Sequence, residues 1–365
     1  MAAIYILSDK GKLNKKDETL VLNQIDGTQT IIFPFKTEQL VIIGNISISG
    51  EALRILTKYK IPTTFLSSNG RFNGKLTFGD GKNVFLRQKQ YRILDDKEKS
   101  LAIAKNIVVG KVKNQLSFMQ RIKRKSGTEE QAITNSINAI KNALSDVQNA
   151  ATIESVRGFE GIAARHYFGV FDFNINCSWA VFGKRSKNPP QTNVNAVLSF
   201  LYVLLLYRVE SAIEAQGLDS ACGNLHALNY GKQALVFDLM EEFRVPIADS
   251  VCCSLFNLGV LKPDDFEEKY FTDEDLDYPV DKRVVPDSVD EKPSDEPEKK
   301  VKAVLLTKAG IRKVISAFEE KLATSIVYTP AESRLSYLRI IYAQAEHYRR
   351  VVAGEELEYK AYYFK

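Results

Sequence analysis

The sequence predicts an α+β protein: a small N-terminal β-sheet domain over residues 1–85, then a larger all-α domain over residues 86–365. Three observations carry that division. Short runs rich in β-branched and aromatic residues fill the first 85 positions and are separated by turn dipeptides. From Val84 onward the apolar residues recur at helical spacing instead. The 365 residues suffice for two hydrophobic cores, and a composition 45% hydrophobic and 26% charged is that of an ordinary globular chain.

In the first domain, residues 4–7, 19–22, 29–35 and 39–43 read as strands. Asp26-Gly27, Asn69-Gly70 and Asn73-Gly74 read as hairpin turns, because both residue types tolerate positive φ. One helix over 50–59 precedes a strand over 63–66, and none of these residues suggests catalysis.

The second domain opens with long amphipathic helices that alternate apolar and basic positions. Arg121, Lys123, Arg124 and Lys125 form a basic cluster that suits either a phosphate contact or a solvated helix end. A helix over 131–147 follows, and then one carrying Glu160 between Gly158 and Gly161. Each glycine costs about 1 kcal/mol in a helix interior relative to alanine. Their retention points to close approach of a helix, a metal ion or DNA. His166, in the same helix, reads as a core or DNA-facing residue. Pro189-Pro190 marks a loop over 186–195 before a helix over 196–214. Its apolar run, 196–207, falls short of the 18–20 or so residues that span a bilayer and reads as a buried core helix.

The stretch GLDSACGNLHALNYGKQALVFDLMEEFRVPIADS, residues 217–250, holds the densest chemistry. Its helix begins after Gly231 and ends before Pro246. Val236, Phe237, Leu239, Met240 and Phe243 fall on one side, with Asp238, Glu241 and Glu242 together on the other. These carboxylates repel one another and crowd the negative end of the helix dipole, at about 0.3–1 kcal/mol each. A bound cation would reverse both penalties. His226, one of three histidines, lies just upstream, so the outline is that of a metal site. The plainer alternative is a solvated acidic face with Arg244 satisfying one carboxylate.

Downstream, Cys252 and Cys253 sit in a helix or turn, and residues 266–300 read as a flexible acidic insertion. Helices over 304–324 and 332–352 close the chain, the second ending at Gly354. The net charge of +5 hides a split: residues 264–298 carry −11, so the remainder carries +16, which suits a nucleic acid partner. Cys177, Cys222, Cys252 and Cys253 show neither zinc-ligand nor disulfide spacing. With no signal pattern at the N-terminus, the expected compartment is a reducing cytoplasm, without a membrane.

Three blocks in order, ESVRGFEGIAARHYF (154–168), FGKRSKNPPQTNVNAVLSF (182–200) and the 217–250 stretch, resemble the signatures of the CRISPR-associated integrase of spacer acquisition. Arg87, Gln88, Lys111, Asn114 and Gln115 match that family in residue type, whereas Thr192-Asn193 stands where an Asp-Pro pair is usual. The resemblance implies a divalent-metal-dependent DNA endonuclease that inserts spacer DNA into CRISPR arrays by attack of a 3′-hydroxyl on a repeat phosphodiester. It implies Glu160, His226 and Glu241 as catalytic metal ligands for Mg²⁺ or Mn²⁺, with Asp238 one turn earlier as ligand or support. It further implies a homodimer through the N-terminal domain, a small companion subunit, and double-stranded DNA as prespacer and repeat. Two rivals stay open: a metal-dependent DNA nuclease of repair or recombination, and a non-enzymatic DNA-binding protein with structural carboxylates.

Overall fold

A computed structural model describes residues 2–68, 70, 72–78, 83–123, 130–187, 189–271 and 301–364. The described chain divides into two compact units, one spanning Met1–Asp80 and the other holding the described residues from Asn83 onward.

The first unit is a six-stranded sheet in the order β3-β2-β1-β4-β5-β6. Its strands are β1 (Ala2–Lys16), β2 (Thr19–Gln24), β3 (Gln29–Ile32), β4 (Thr37–Ile48), β5 (Thr63–Leu66) and β6 (Phe72–Leu76). β1 and β4 are far longer than local sequence suggested, because they pair in parallel from Ile4↔Leu40 to Leu13↔Ile48. That ladder is long-range and leaves no local signal. α1 (Gly50–Lys58), capped by Ser49 Oγ accepting the Ala52 N–H, is the crossover to the parallel strand β5. It buries Ala52, Ile55 and Leu56 against Leu13, Leu20 and Leu40 of the sheet. Gly27 takes the positive φ its turn requires. Asn73-Gly74 does not form a turn; both residues lie in β6, where Gly74 pairs with Phe65 and Asn73 falls at a register shift.

The second unit is mainly helical: α2 (Val84–Asp95), α3 (Lys97–Lys123), α4 (Glu130–Asn149), α5 (Ile153–Gly169), α6 (Asn193–Ala215), α7 (Ala234–Phe243) and α8 (Ser250–Asn257). α3 runs through the middle and packs against α4, α5 and α7. α6 is longer than the sequence suggested and, at 23 residues, is long and apolar enough to cross a membrane, yet 89% of its apolar window is buried inside the unit. It is a core helix. Between α7 and α8 the chain does not leave the helical path at Pro246. Residues Arg244–Asp249 widen into a π-turn, and Ser250 Oγ donates to the carbonyls of Pro246 and Ile247 at 2.8 and 3.2 Å. Such π-bulges often mark functional sites.

The unit is not all-α. β7 (Phe266–Phe271) pairs antiparallel with β8 (Val301–Leu306), so the first six residues of the expected flexible insertion are an ordered strand. Its partner lies 30 residues downstream, and the acidic composition between them masked the pairing. The remainder of that insertion lies outside the described residues. α9 (Lys308–Ala323) starts only after Thr307 caps it, so Val304–Leu306 belong to β8 rather than to a helix. A hairpin of β9 (Ser325–Tyr328) and β10 (Ser333–Ser336) then precedes α10 (Tyr337–Ala353), which ends at left-handed Gly354. Residues 359–364 lie along one stripe of α3. Asn114 Nδ2 donates to the Tyr362 carbonyl, and Asn114 Oδ1 accepts the Phe364 N–H. Gly110 is required under this segment, since a Cβ there would sit 2.5 Å from that of Ala361.

Candidate metal centre

Glu160 projects from the middle of α5, whose first turn is capped by Thr152 Oγ1 accepting the Ser155 N–H at 3.2 Å. A Cβ at Gly158 or Gly161 would meet nothing within 4 Å. The glycines therefore seat no neighbouring helix; they leave bare backbone beside Glu160. Arg157, one turn before Glu160, donates through Nε to the Leu225 carbonyl and so ties α5 to the loop that carries His226.

That loop is organised by Asp238, which is fully buried in α7. Its two oxygens accept the backbone N–H groups of Asn224, Leu225 and His226 at 2.5–2.9 Å. Oδ1 also lies 2.7 Å from His226 Nδ1. Only glycine fits at 223, because a Cβ would come within 2.7 Å of Asp238 Oδ2 and 2.5 Å of the Ala234 backbone. A carboxylate at Nδ1 holds the imidazole proton there and leaves the Nε2 lone pair free. Nε2 faces Glu241, 3.9 Å from Oε1.

Glu241 meets Glu160 across the ammonium of Lys111, which α3 supplies. Lys111 Nζ is paired with Glu160 Oε1 and lies 2.6 Å from Glu241 Oε2. Arg244 Nε approaches Glu241 Oε1 at 3.1 Å. The side chains of Glu241, Lys111 and His226 are 4, 11 and 12% exposed, and that of Glu160 25%, so the site opens on the Glu160 side. Burial alone would raise the Glu241 carboxyl, but the Arg244 and Lys111 cations together hold it well below the usual carboxylate range. Burial likewise works against the Lys111 ammonium, and Glu160 and Glu241 outweigh it and hold the proton on. Lys111 Nζ donates a hydrogen bond to Glu160, but toward Glu241 neither cation is aligned: among the described residues Glu241 Oε2 and Arg244 Nε are without a hydrogen-bond partner.

One imidazole lone pair and two carboxylates thus converge from α5, α7 and the 224–226 loop, a donor set that suits a divalent ion. An orphaned carboxylate oxygen at the point of convergence fits the same group. Among the described residues there is no open cage of three His, Cys, Asp or Glu side chains; the carboxylates are held together by Lys111.

The three acidic residues of α7 do not share a solvated face. Asp238, Glu241 and Glu242 are all buried, each turned toward different partners. Glu242 accepts the Tyr359 hydroxyl, the Tyr362 N–H at 2.6 Å and Gln344 Nε2 at 2.7 Å. Burial pushes its carboxyl up to about 7 despite those hydrogen bonds. Between the ordinary carboxylate value and 7 the folded state holds a proton that the unfolded state has released. Stability therefore falls as pH rises through that window, by roughly 3 kcal/mol from this group. Chemical denaturation from pH 4.5 to 7.5 should show that decline in the wild type and a flatter profile in Glu242→Gln. Equal slopes would remove Glu242 as its source.

The 182–200 block builds the neighbouring wall. Asn195 Nδ2 donates to the carbonyls of Phe182 and Lys184, and its Oδ1 accepts from Arg185 Nη1 at 2.9 Å and the Ser186 N–H at 3.1 Å. Ser199 Oγ accepts from Arg185 Nη2. The Tyr202 ring lies against Arg185 and Arg244, at 5.4 and 4.8 Å, while its hydroxyl donates to Asp249 on the π-turn. Thr192 and Asn193 still start α6: Thr192 caps it, and Asn193 holds the Val181 N–H and the Trp179 carbonyl. Arg157 and Arg185 carried no signal beyond their place in these blocks, and Lys111 matched only in type. The basic cluster is partly engaged, since the Arg121 guanidinium stacks 4.6 Å over the Phe364 ring. Lys123 ends α3, and Arg124 and Lys125 lie outside the described residues.

The family model for CRISPR associated protein Cas1 matches residues 4–274. The chain belongs to the Cas1 family. A curated relative, CRISPR-associated endonuclease Cas1 3 of Thermus thermophilus, is 30% identical over 364 residues, covering 99% of this chain and 97% of its own. The fold is that of Cas1 structures. A casposase bound to integration product superposes with a TM-score of 0.79 at 19% identity, over 99% of this chain and 93% of its own. A Cas6-RT-Cas1–Cas2 complex superposes with a TM-score of 0.78 at 20% identity, over 99% of this chain and 36% of its own.

Proposed function

We propose that Glu160, His226 and Glu241 hold a divalent metal ion, Mg²⁺ or Mn²⁺, at which this Cas1 family member cuts and joins DNA. As a member of that family the chain is a DNA endonuclease and integrase of CRISPR spacer acquisition. The reading is supported by Glu160 and Glu241 flanking the buried Lys111 ammonium while His226 Nε2 faces the other oxygen of Glu241 at 3.9 Å. The imidazole favours Mn²⁺ over Mg²⁺. When bound, the ion polarises the scissile phosphate and stabilises the leaving 3′-oxygen. Asp238 keeps the His226 lone pair aimed inward. Arg244 and Arg185 keep the wall positive where phosphate charge accumulates. The bare backbone at Gly158 and Gly161 leaves room for a DNA strand to come close to Glu160.

The attacking group is a DNA 3′-hydroxyl, so no protein nucleophile is required. Prespacer and repeat duplexes are the substrates, and the +16 body supplies their phosphate contacts. A homodimer through the N-terminal sheet and a small companion subunit complete the assembly, in line with the Cas1–Cas2 complex whose fold it shares. The working compartment is the cytoplasm. Incubation of prespacer DNA, repeat DNA and Mn²⁺ should give joined products that require a 3′-hydroxyl. Cut products without joining would leave a nuclease only, and neither product would leave a DNA-binding protein.

A further inference from the structure

We infer that Lys111 is an internal competitor for the divalent ion, occupying the carboxylate pair until metal displaces it. The inference rests on the ligand reading above. A buried ammonium is costly unless it is paired and fully hydrogen-bonded. Lys111 is paired twice, with Glu160 Oε1 and Glu241 Oε2, and it stands where the two carboxylates approach each other. Yet the pairing is incomplete. The Glu241 contact is close, 2.6 Å, but not aligned, and Oε2 is left without a hydrogen bond among the described residues. A second cation, Arg244, already neutralises the other oxygen of Glu241. Lys111 is therefore not the sole counter-charge that the fold needs for Glu241.

Geometry also supplies an exit. Lys111 reaches the site on a flexible four-carbon stem, and Glu160, its other partner, sits on the more exposed side of the site beside glycines that block nothing. A divalent ion brings two charges to the carboxylates where the ammonium brings one. The two cations cannot share the position, so entry of one expels the other. In the absence of metal, Lys111 keeps Glu160 and Glu241 from repelling each other apart, which holds the ligands near their working spacing. The same contact weakens the apparent metal affinity, since the ion must displace a bound charge.

Calorimetric titration with Mn²⁺ of wild type, Lys111→Met and Lys111→Arg in the full chain tests this. Lys111→Met should bind Mn²⁺ at least tenfold more tightly than wild type. Lys111→Arg should bind more weakly, because a planar guanidinium bridges two carboxylates with more aligned donors. A flat or reversed order overturns the inference. Because Lys111→Met also removes a buried ion pair, acetylation footprinting of the wild-type protein supplies a reading independent of that variant's fold. Lys111 should be protected without metal and gain at least tenfold reactivity at saturating Mn²⁺; unchanged reactivity overturns the inference. His226→Ala separates the two levels. If wild type shows no Mn²⁺ site, or one that His226→Ala leaves intact, the ligand reading itself falls and takes this inference with it. If the site exists and His226→Ala abolishes it while the Lys111 series and the footprint stay flat, only the role of Lys111 is lost.

Discussion

Alanine at Glu160, His226 or Glu241 is expected to lower Mn²⁺-dependent strand transfer by about a thousandfold or more, with duplex DNA affinity nearly unchanged. The size follows from removing a donor to an ion that contributes several kcal/mol of transition-state stabilisation, each 1.4 kcal/mol or so being worth tenfold. The three variants should not fail alike as proteins. Glu241 is buried between two cations, so its loss takes the carboxylate from Arg244 and leaves Lys111 with Glu160 alone, and should lower the melting temperature. Glu160 is a quarter exposed and carries only one of the Lys111 contacts, so its alanine variant should fold like wild type. Transfer assays read beside binding assays and melting curves check both statements. A Glu160→Ala protein that folded, bound DNA and still joined strands at near-wild-type rate would remove Glu160 from the ligand set.

Asp238→Ala should be the most damaging single change near the site although Asp238 points away from the carboxylate pair. It deletes the acceptor of three backbone N–H groups and of the His226 ring, all in a buried setting. Leaving buried donors unpaired costs about 1–3 kcal/mol apiece, partly relieved where water enters, so a loss on the order of 3–5 kcal/mol is expected. His226 loses its orientation at the same time, which typically weakens metal binding by about 10–100-fold. Asp238→Asn separates the two effects. It should recover part of the stability and not the metal affinity, since an amide cannot serve every donor around it. Urea denaturation and Mn²⁺ titration of both variants decide it, and full recovery of affinity in Asp238→Asn would contradict a positioning role.

Much of the catalytic unit was legible because local patterns and short blocks carry it. Spacing in 234–243 marked a helix with an apolar side, and α7 has it. Residue types in 154–168 and 217–250 pointed to Glu160, His226 and Glu241, which converge here. The failures share a different cause. The carboxylates of α7 look like one acidic face on a helical projection, but they are buried among three sets of partners that come from α3, the 224–226 loop and residues 344–362. No helical period encodes a partner more than a hundred positions away. The same blindness hid the β1–β4 ladder and the β7–β8 pair, and it left Lys111 a match in residue type with no assigned place in the site. Pro246 misled in the opposite direction: its missing N–H predicts a stop, but the helical path continues as a π-turn, and the Glu242 carbonyl that Pro246 cannot serve accepts Asn114 Nδ2 at 2.8 Å instead.

The segment lying on α3 has a consequence in time. Asn114 and Tyr362 are hydrogen-bonded across 248 positions, and Glu242 waits 120 positions for the Tyr362 N–H. At synthesis rates of about 5–20 residues per second, α3 exists for roughly 10–50 s before the segment that covers it has been made. Until then the stripe around Gly110 is bare and the Glu242 carboxyl is without two of its donors, so α3 and α7 are held by their own contacts alone, Asn114 Nδ2 on the Glu242 carbonyl and Lys111 beside Glu241. Lys111 and Glu241, one on each of those helices, meet for that interval without the cover they have in the finished chain. A chain still being translated would thus carry Glu160, His226 and Glu241 before the segment that steadies α3 against α7 exists.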